Sequence, residues 1–152
     1  MPTRRDSRSR EYPAYPVIGV GVVVWKGGEV LLIRRGKPPR EGSWSLPGGR
    51  QKLGETVREA AAREVREEAG IEITVGNLLD VVDSLTRDPS DEIRYHYTLV
   101  DFDADWQAGE ARAGGDAADI LWADPGDLSQ YELWSETARI IALSAETRAL
   151  TG

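Results

Sequence analysis

Residues 49–71 read GRQKLGETVREAAAREVREEAGI. The part from Glu55 to Ala69 holds no glycine or proline, is rich in alanine, glutamate and arginine, and is followed by Gly70. That composition predicts a helix with Gly70 just beyond its last turn. With Val57 set to zero and about 100° per residue, Ala61 falls at about 40°, Val65 at about 80° and Ala60 at about 300°, which marks the face that packs on a sheet. Glu64 at about 340°, Glu68 at about 20° and Glu67 at about 280° share or border that face, whereas Glu59 and Arg66 point about 180–200° away. Solubility alone does not place three acids on an apolar stripe. Like charges three and four residues apart repel, and more so when half-buried. They must take up protons or face cations, and carboxylate oxygens are the donors that Mg²⁺ and Mn²⁺ prefer.

Upstream, Val17 to Trp25 reads VIGVGVVVW, followed by Lys26-Gly27-Gly28 and then EVLLIRR. Two β-rich runs around a Gly-Gly turn predict a hairpin, and the first run is apolar enough to be a central strand buried on both faces. GKPPREGSWSLPGGRQKLG then predicts a long functional loop with a short strand at Trp44-Ser45-Leu46. Downstream, strands are expected at Ile71–Val75, Leu78–Val82 and Ile93–Phe102, and a shorter apolar piece at Ile120–Ala123. A helix is expected from Ser135 onwards, with Ser135 as its N-cap. Residues 1–16 carry four arginines and three prolines and little that could be buried, so they read as a flexible basic tail before a single domain at 17–152. The element order predicts an α/β (α+β) fold, a mixed sheet between helices.

Composition narrows the chemistry. The 152 residues include 26 acidic and 19 basic side chains, no cysteine and one histidine. Disulfides, a cysteine-based zinc site and a thiol nucleophile are excluded, as is any site needing two histidines. His96 lies in the alternating RYHYTLV run and reads as structural. The net charge of −7 argues against a nucleic acid polymer or an anionic membrane as partner. The N-terminal arginines lead into no apolar stretch, so a cytoplasmic location is expected. Exposed sheet edges make a homodimer the expected assembly, if there is one.

Gly49, then Glu55 after five residues, then after seven more Arg63-Glu64, apolar Val65, Glu67-Glu68, Gly70 and apolar Ile71 together resemble the complete Nudix box. Every specified position matches, which chance gives on the order of once in a billion starting points. The resemblance implies a Nudix-type α/β/α sandwich and Mg²⁺- or Mn²⁺-dependent hydrolysis of a nucleoside diphosphate linked to another group. By that resemblance Glu64 and Glu68 are the principal metal ligands, Glu67 ligates a second ion or positions the attacking water, and the Gly48 carbonyl completes the coordination. Glu55 and Arg63 orient these carboxylates, and a further acid comes from Asp116 or Asp119.

Among the basic residues Arg34, Arg35, Lys37 and Arg40, Arg34 is favoured for contact with substrate phosphate. Trp25, Trp44 and Tyr97 are the candidates for stacking on a base. YHYTLVDF after the box points towards ADP-ribose pyrophosphatase-like members. The alternatives are a MutT-like hydrolase of oxidised nucleoside triphosphates and a silent Nudix-like nucleotide sensor. Sensors typically lose box glutamates, and here all four are kept. Lys52 stands where relatives with a WSLPGG approach commonly carry an acid.

Overall fold

The β-branched run VIGVGVVVW favours extended backbone and forms the first strand; Gly27, at φ 60°, turns the chain into the second. In the computed structural model, which describes residues 5, 6, 9–38 and 40–151, ten elements follow one another. They are β1 (Val17–Lys26), β2 (Glu29–Arg35), β3 (Trp44–Ser45), β4 (Gly48–Arg50), α1 (Val57–Ala69), β5 (Glu72–Arg87), β6 (Ile93–Ala108), β7 (Ala117–Ala123), a 3₁₀ turn (Ser129–Tyr131) and α2 (Ser135–Thr151). The strands make one mixed sheet in the order β3-β2-β1-β6-β5, with β4 also paired to β1 and β7 to β2. β1 runs parallel to β6, from Val17 opposite Tyr97 to Trp25 opposite Asp105, and antiparallel to β2 and β4.

Alternation along β1 divides the core into two. Val20, Val22 and Val24 pack with Leu31, Phe102 and the Ala60, Ala61, Val65 and Ala69 stripe of α1. Val23 and Trp25 turn the other way, towards Val30, Leu32, Val82, Ile140 and Ile141 under α2. The expected sandwich and the expected double burial of β1 both follow from this. Trp25, a candidate for base stacking, is instead part of the α2-side core. Its indole N–H donates to Ser144 Oγ at 2.9 Å, which satisfies the one polar atom of a buried ring.

Several boundaries differ from expectation: β6 runs on to Ala108 rather than ending at Phe102, β7 starts at Ala117 rather than Ile120, and β3 ends at Ser45. Glu55 lies outside the helix, because Thr56 is the N-cap: its hydroxyl accepts from the Glu59 N–H at 3.0 Å and its N–H donates to Glu59 Oε1 at 3.1 Å. The strands expected at Ile71–Val75 and Leu78–Val82 are one, since the register against β6 shifts between Val75 and Leu78 without breaking the pairing. Asp103 fills that bulge, its Oδ1 accepting from the Asn77 N–H at 2.7 Å. Ser135 stands inside α2 rather than capping it, because the Trp134 carbonyl already accepts from the Ala138 N–H at 3.1 Å. Of the segment expected as a tail, residues 1–4, 7 and 8 lie outside the described residues. Its later part lies along β6: the Tyr12 N–H donates to the Arg94 carbonyl at 2.7 Å, Glu11 pairs with Arg94 at 2.8 Å and Pro13 is buried. Among the described residues no helix is long and apolar enough to cross a membrane.

Leu31 of β2 is fully buried in the core on the α1 side, whereas Leu53 in the loop before α1 is fully exposed. Leu31→Ala is expected to cost about 2–5 kcal/mol of unfolding free energy by urea titration, and Leu53→Ala less than about 0.5 kcal/mol.

Candidate active site

The loop between β4 and α1 is tied to the helix by one guanidinium. Arg63 Nε donates to Glu55 Oε2 at 2.6 Å and Nη2 to Glu55 Oε1 at 2.9 Å, a two-pronged grip on a carboxylate at the foot of the loop. Nη2 also donates to the Arg50 carbonyl at 3.0 Å, while Nη1 reaches Glu64 Oε1 at 2.8 Å and Glu67 Oε2 at 3.2 Å. Arg63 thereby holds Glu55 well below the ordinary carboxylate range, at about 2.

Glu64 and Glu68 behave in the opposite sense. Glu68 is 5% exposed and accepts from the Gly48 N–H at 2.8 Å, yet burial pushes its carboxyl up to about 8, with Glu64 repelling it as well. Burial also raises Glu64, and outweighs the Arg63 bond that lowers it. Gly49 makes Glu64's position available: a Cβ there would stand 2.5 Å from the Glu64 Cδ. Glu67 stays at the surface, with its side chain 47% exposed. The three acids share one face of α1, as the helical spacing required. Among the described residues no group of three acidic or histidine side chains forms a ready-made cation site. An ion would draw its remaining oxygens from water, backbone or substrate phosphate, which is how Mg²⁺ is commonly held.

These acids wall a cavity of about 570 Å³. Cations surround it: Arg35, Lys37 and Arg40 from β2 and the loop after it, Arg50 from the end of β4, Lys52 from the loop before α1, and Arg10 from the N-terminal segment. The remaining wall comes from the sheet, through Gly21, Tyr97, Leu99 and Asp101, and from α2, through Glu136 and Ile140.

Several expected residues meet here and others do not. Gly48, Arg63, Glu64, Glu67, Glu68, Tyr97 and Asp116 line the cavity. Asp116 is carried there by the loop before β7, where the Gly36 N–H donates to its carbonyl at 2.8 Å and Lys37 pairs with its carboxylate at 2.9 Å. Asp119 sits on β7 opposite Arg34, exposed, with Oδ1 accepting from the Ile120 N–H at 2.8 Å. Arg34, Trp25, Trp44 and Asp119 are not among the described lining residues. Arg34 instead covers Trp44, 5.9 Å from the ring, and Trp44 meets Tyr131 edge-on at 5.8 Å. Neighbours in a strand face opposite ways, so Arg35 points in where Arg34 points out. Arg10, the α2 residues and Asp101 were missed; of these only Asp101, an acid inside the apolar LVDF stretch, left a local signal.

An acid-bearing helix thus faces a cation-rimmed cavity, a charge pattern suited to anionic compounds. Residues 16–143 match the family model described as the NUDIX domain, and the chain belongs to that family of hydrolases. It is similar to the ADP-ribose pyrophosphatase of Methanocaldococcus jannaschii, 37% identical over 125 residues that cover 82% of this chain and 72% of the relative. The CTP pyrophosphohydrolase of Escherichia coli is 33% identical over 117 residues, 75% of this chain and 80% of its own. Among solved structures, the MutT NUDIX hydrolase from Burkholderia pseudomallei superposes with a TM-score of 0.73 at 31% identity, over 85% of this chain and 98% of that one.

The lowered Glu55 carboxyl has a stability consequence. A group whose folded value lies below its ordinary 4.5 stabilises the fold fully above 4.5, and the contribution is lost as pH falls towards about 2. In metal-free buffer the urea midpoint of the parent should therefore drop more steeply between pH 5 and about 2.5 than that of Glu55→Gln. Parallel profiles would dissociate Glu55 from the fold's acid sensitivity.

Proposed function

We propose that the cavity hydrolyses a nucleoside diphosphate derivative, with an ADP-ribose-like compound as the favoured substrate. The observation that carries this reading is the meeting, in one cavity, of the buried Glu68 and the half-buried Glu64 with a ring of cations. Neither group suits the other's ligand alone: the cations attract a diphosphate, and the acids repel it unless a divalent ion stands between. In this reading Mg²⁺ or Mn²⁺ is held by Glu64 and Glu68, with Glu67 and the Gly48 carbonyl completing the donor set. The bound ion would activate water and offset charge developing on phosphorus. Arg63 fixes the carboxylate rotamers, the rim cations neutralise the diphosphate, and Asp116 is the candidate further acid. Water adds across the phosphoanhydride, so that one P–O–P bridge becomes two separate phosphates.

The ADP-ribose preference is supported by the 37% identity to the M. jannaschii enzyme over most of both chains. The similarity to the E. coli CTP pyrophosphohydrolase favours a second reading, hydrolysis of a nucleoside triphosphate. A homodimer belongs to the same proposal, because β5 closes the sheet order and exposes Leu78, Val81 and Leu85.

A hydrolysis screen over ADP-ribose, NADH, nucleotide sugars, dinucleoside polyphosphates and canonical or oxidised triphosphates, read by chromatography of the nucleotide products, tests the substrate, with Mg²⁺ and Mn²⁺ in parallel. Turnover of ADP-ribose above the triphosphates is expected; the reverse order would establish the second reading, and no turnover would overturn both. Glu67→Gln should lower turnover at least ~100-fold while leaving the circular-dichroism spectrum unchanged. Millimolar Mg²⁺ should raise the thermal midpoint of the parent, and an unchanged midpoint would count against a site of this kind.

A further inference from the structure

Asp101 sits in the middle of β6, opposite Gly21 of β1 on one side and Asp80 of β5 on the other. It is 5% exposed. A Cβ on Gly21 would lie 2.3 Å from Asp101 Oδ1, so the carboxylate rests on bare backbone. Among the described residues none donates a hydrogen bond to it. Its neighbours along the strand are provided for: Asp103 accepts the Asn77 N–H, and Asp105 pairs with Arg148. The charged groups acting on Asp101 are Asp80, Glu136 and Arg139, and the Arg139 guanidinium is already engaged by Asp80 at 2.9 Å and by Glu136. Burial, and then Asp80, push the Asp101 carboxyl up to about 6, which still leaves it ionised and acceptor-only at pH 7.5.

Among the described residues no fully buried side-chain oxygen or nitrogen lacks a partner, so the Asp101 carboxylate, which has no donor, keeps its oxygens open to the cavity, where a ligand donor can reach them. Apolar Leu46, Val82, Leu99 and Ile140 line the same cavity, with Glu136 of α2 as a further acid. A largely apolar pocket with a few orienting polar groups is the form that takes a heterocycle. The rim cations belong to β2, β4, the loops and the N-terminal segment, whereas Asp101 faces α2.

We propose that Asp101 reads the exocyclic amino group of the substrate's base: a ring bearing –NH₂, seated against Leu46, Leu99 and Ile140, donates to its carboxylate. This rests on the reading of the cavity as a nucleotide site and adds what that site selects. A base presenting a carbonyl there would set acceptor against acceptor and leave the acid buried and unpaired, which is where polar discrimination is strongest.

Binding of nucleoside 5′-monophosphates to the full chain tests the proposal without any turnover. Calorimetry should show AMP and CMP binding at least about tenfold more tightly than their shape-matched counterparts, purine riboside 5′-monophosphate and UMP. Amide shifts at Gly21 and Leu99 should move with AMP. In Asp101→Asn, whose amide offers a donor to carbonyl bases, the ratios should fall to within about threefold. Ratios within threefold on the parent, ratios unchanged in Asp101→Asn, or no binding of any monophosphate would each overturn the assignment. The parent series decides alone should the variant not fold. The hydrolysis screen judges the underlying reading separately: turnover without base discrimination removes only the role of Asp101, and absence of turnover with amino-selective binding removes only the reaction.

Discussion

The Arg63 guanidinium is the constraint on which the site depends. Three carboxylates and a backbone carbonyl converge on one planar cation, and each keeps a different part of the chain in place: Glu55 and the Arg50 carbonyl for the loop, Glu64 and Glu67 for the helix. A lysine there would supply one point charge and no fork, and so could not hold the loop and the helix in one geometry. The cation divides its neighbours by their surroundings. Glu55, gripped at both oxygens, is driven fully into the ionised state, whereas Glu64, gripped at one and half-buried, stays raised because burial outweighs the single bond. Glu68, beyond Arg63's reach and deeper, is raised furthest of the acids on α1. Charge is therefore graded from Glu55, anchored in the loop before α1, to Glu68, raised by burial in the depth of the helix.

What the sequence made legible follows from local physics. The box set the helix, its closing glycine and the face bearing the acids, because helical spacing alone determines which side chains share a face. The hairpin and the double burial of β1 followed from β-branched composition around a Gly-Gly turn. Boundaries fared worse where one side chain decides them: Thr56 rather than Glu55 opens α1, and Asp103, from another strand, turns an expected break in β5 into a bulge.

The cavity was the least legible part, since its walls are assembled by pairings distant in sequence. β1 meets β6 in parallel across four intervening strands and a helix, and that register, not any local pattern, brings Asp101 over Gly21. The same distance hid the fate of Trp25, whose partner Ser144 lies 119 residues on. Arg34 was favoured over Arg35 by one position in a strand, and one position reverses the face. Arg10 reaches the cavity because Tyr12 and Glu11 dock on Arg94, contacts that the composition of a basic, proline-rich segment does not announce.

A single cavity collects side chains from both faces of the sheet because β1 changes partner along its length. Near its end, Trp25 and Lys26 pair with β2; nearer its start, Gly19, Val20 and Gly21 pair with β4. Between these pairings β2 diverges, and the Val22 N–H is met instead by the Pro47 carbonyl at 3.0 Å. The layer is interrupted beside β1, and a cavity can pass from the α1 side to the α2 side. Two glycines at that interruption admit a carboxylate each, Gly49 for Glu64 from α1 and Gly21 for Asp101 from β6. A methyl group at either would meet carboxylate atoms at 2.6 Å or less. Bare backbone on neighbouring strands is thus what lets acids from opposite sides of the sheet face one volume, and it explains the glycine at Gly21 in the longest apolar run of the chain; at Gly19 a Cβ would instead press on Leu99 at 3.0 Å.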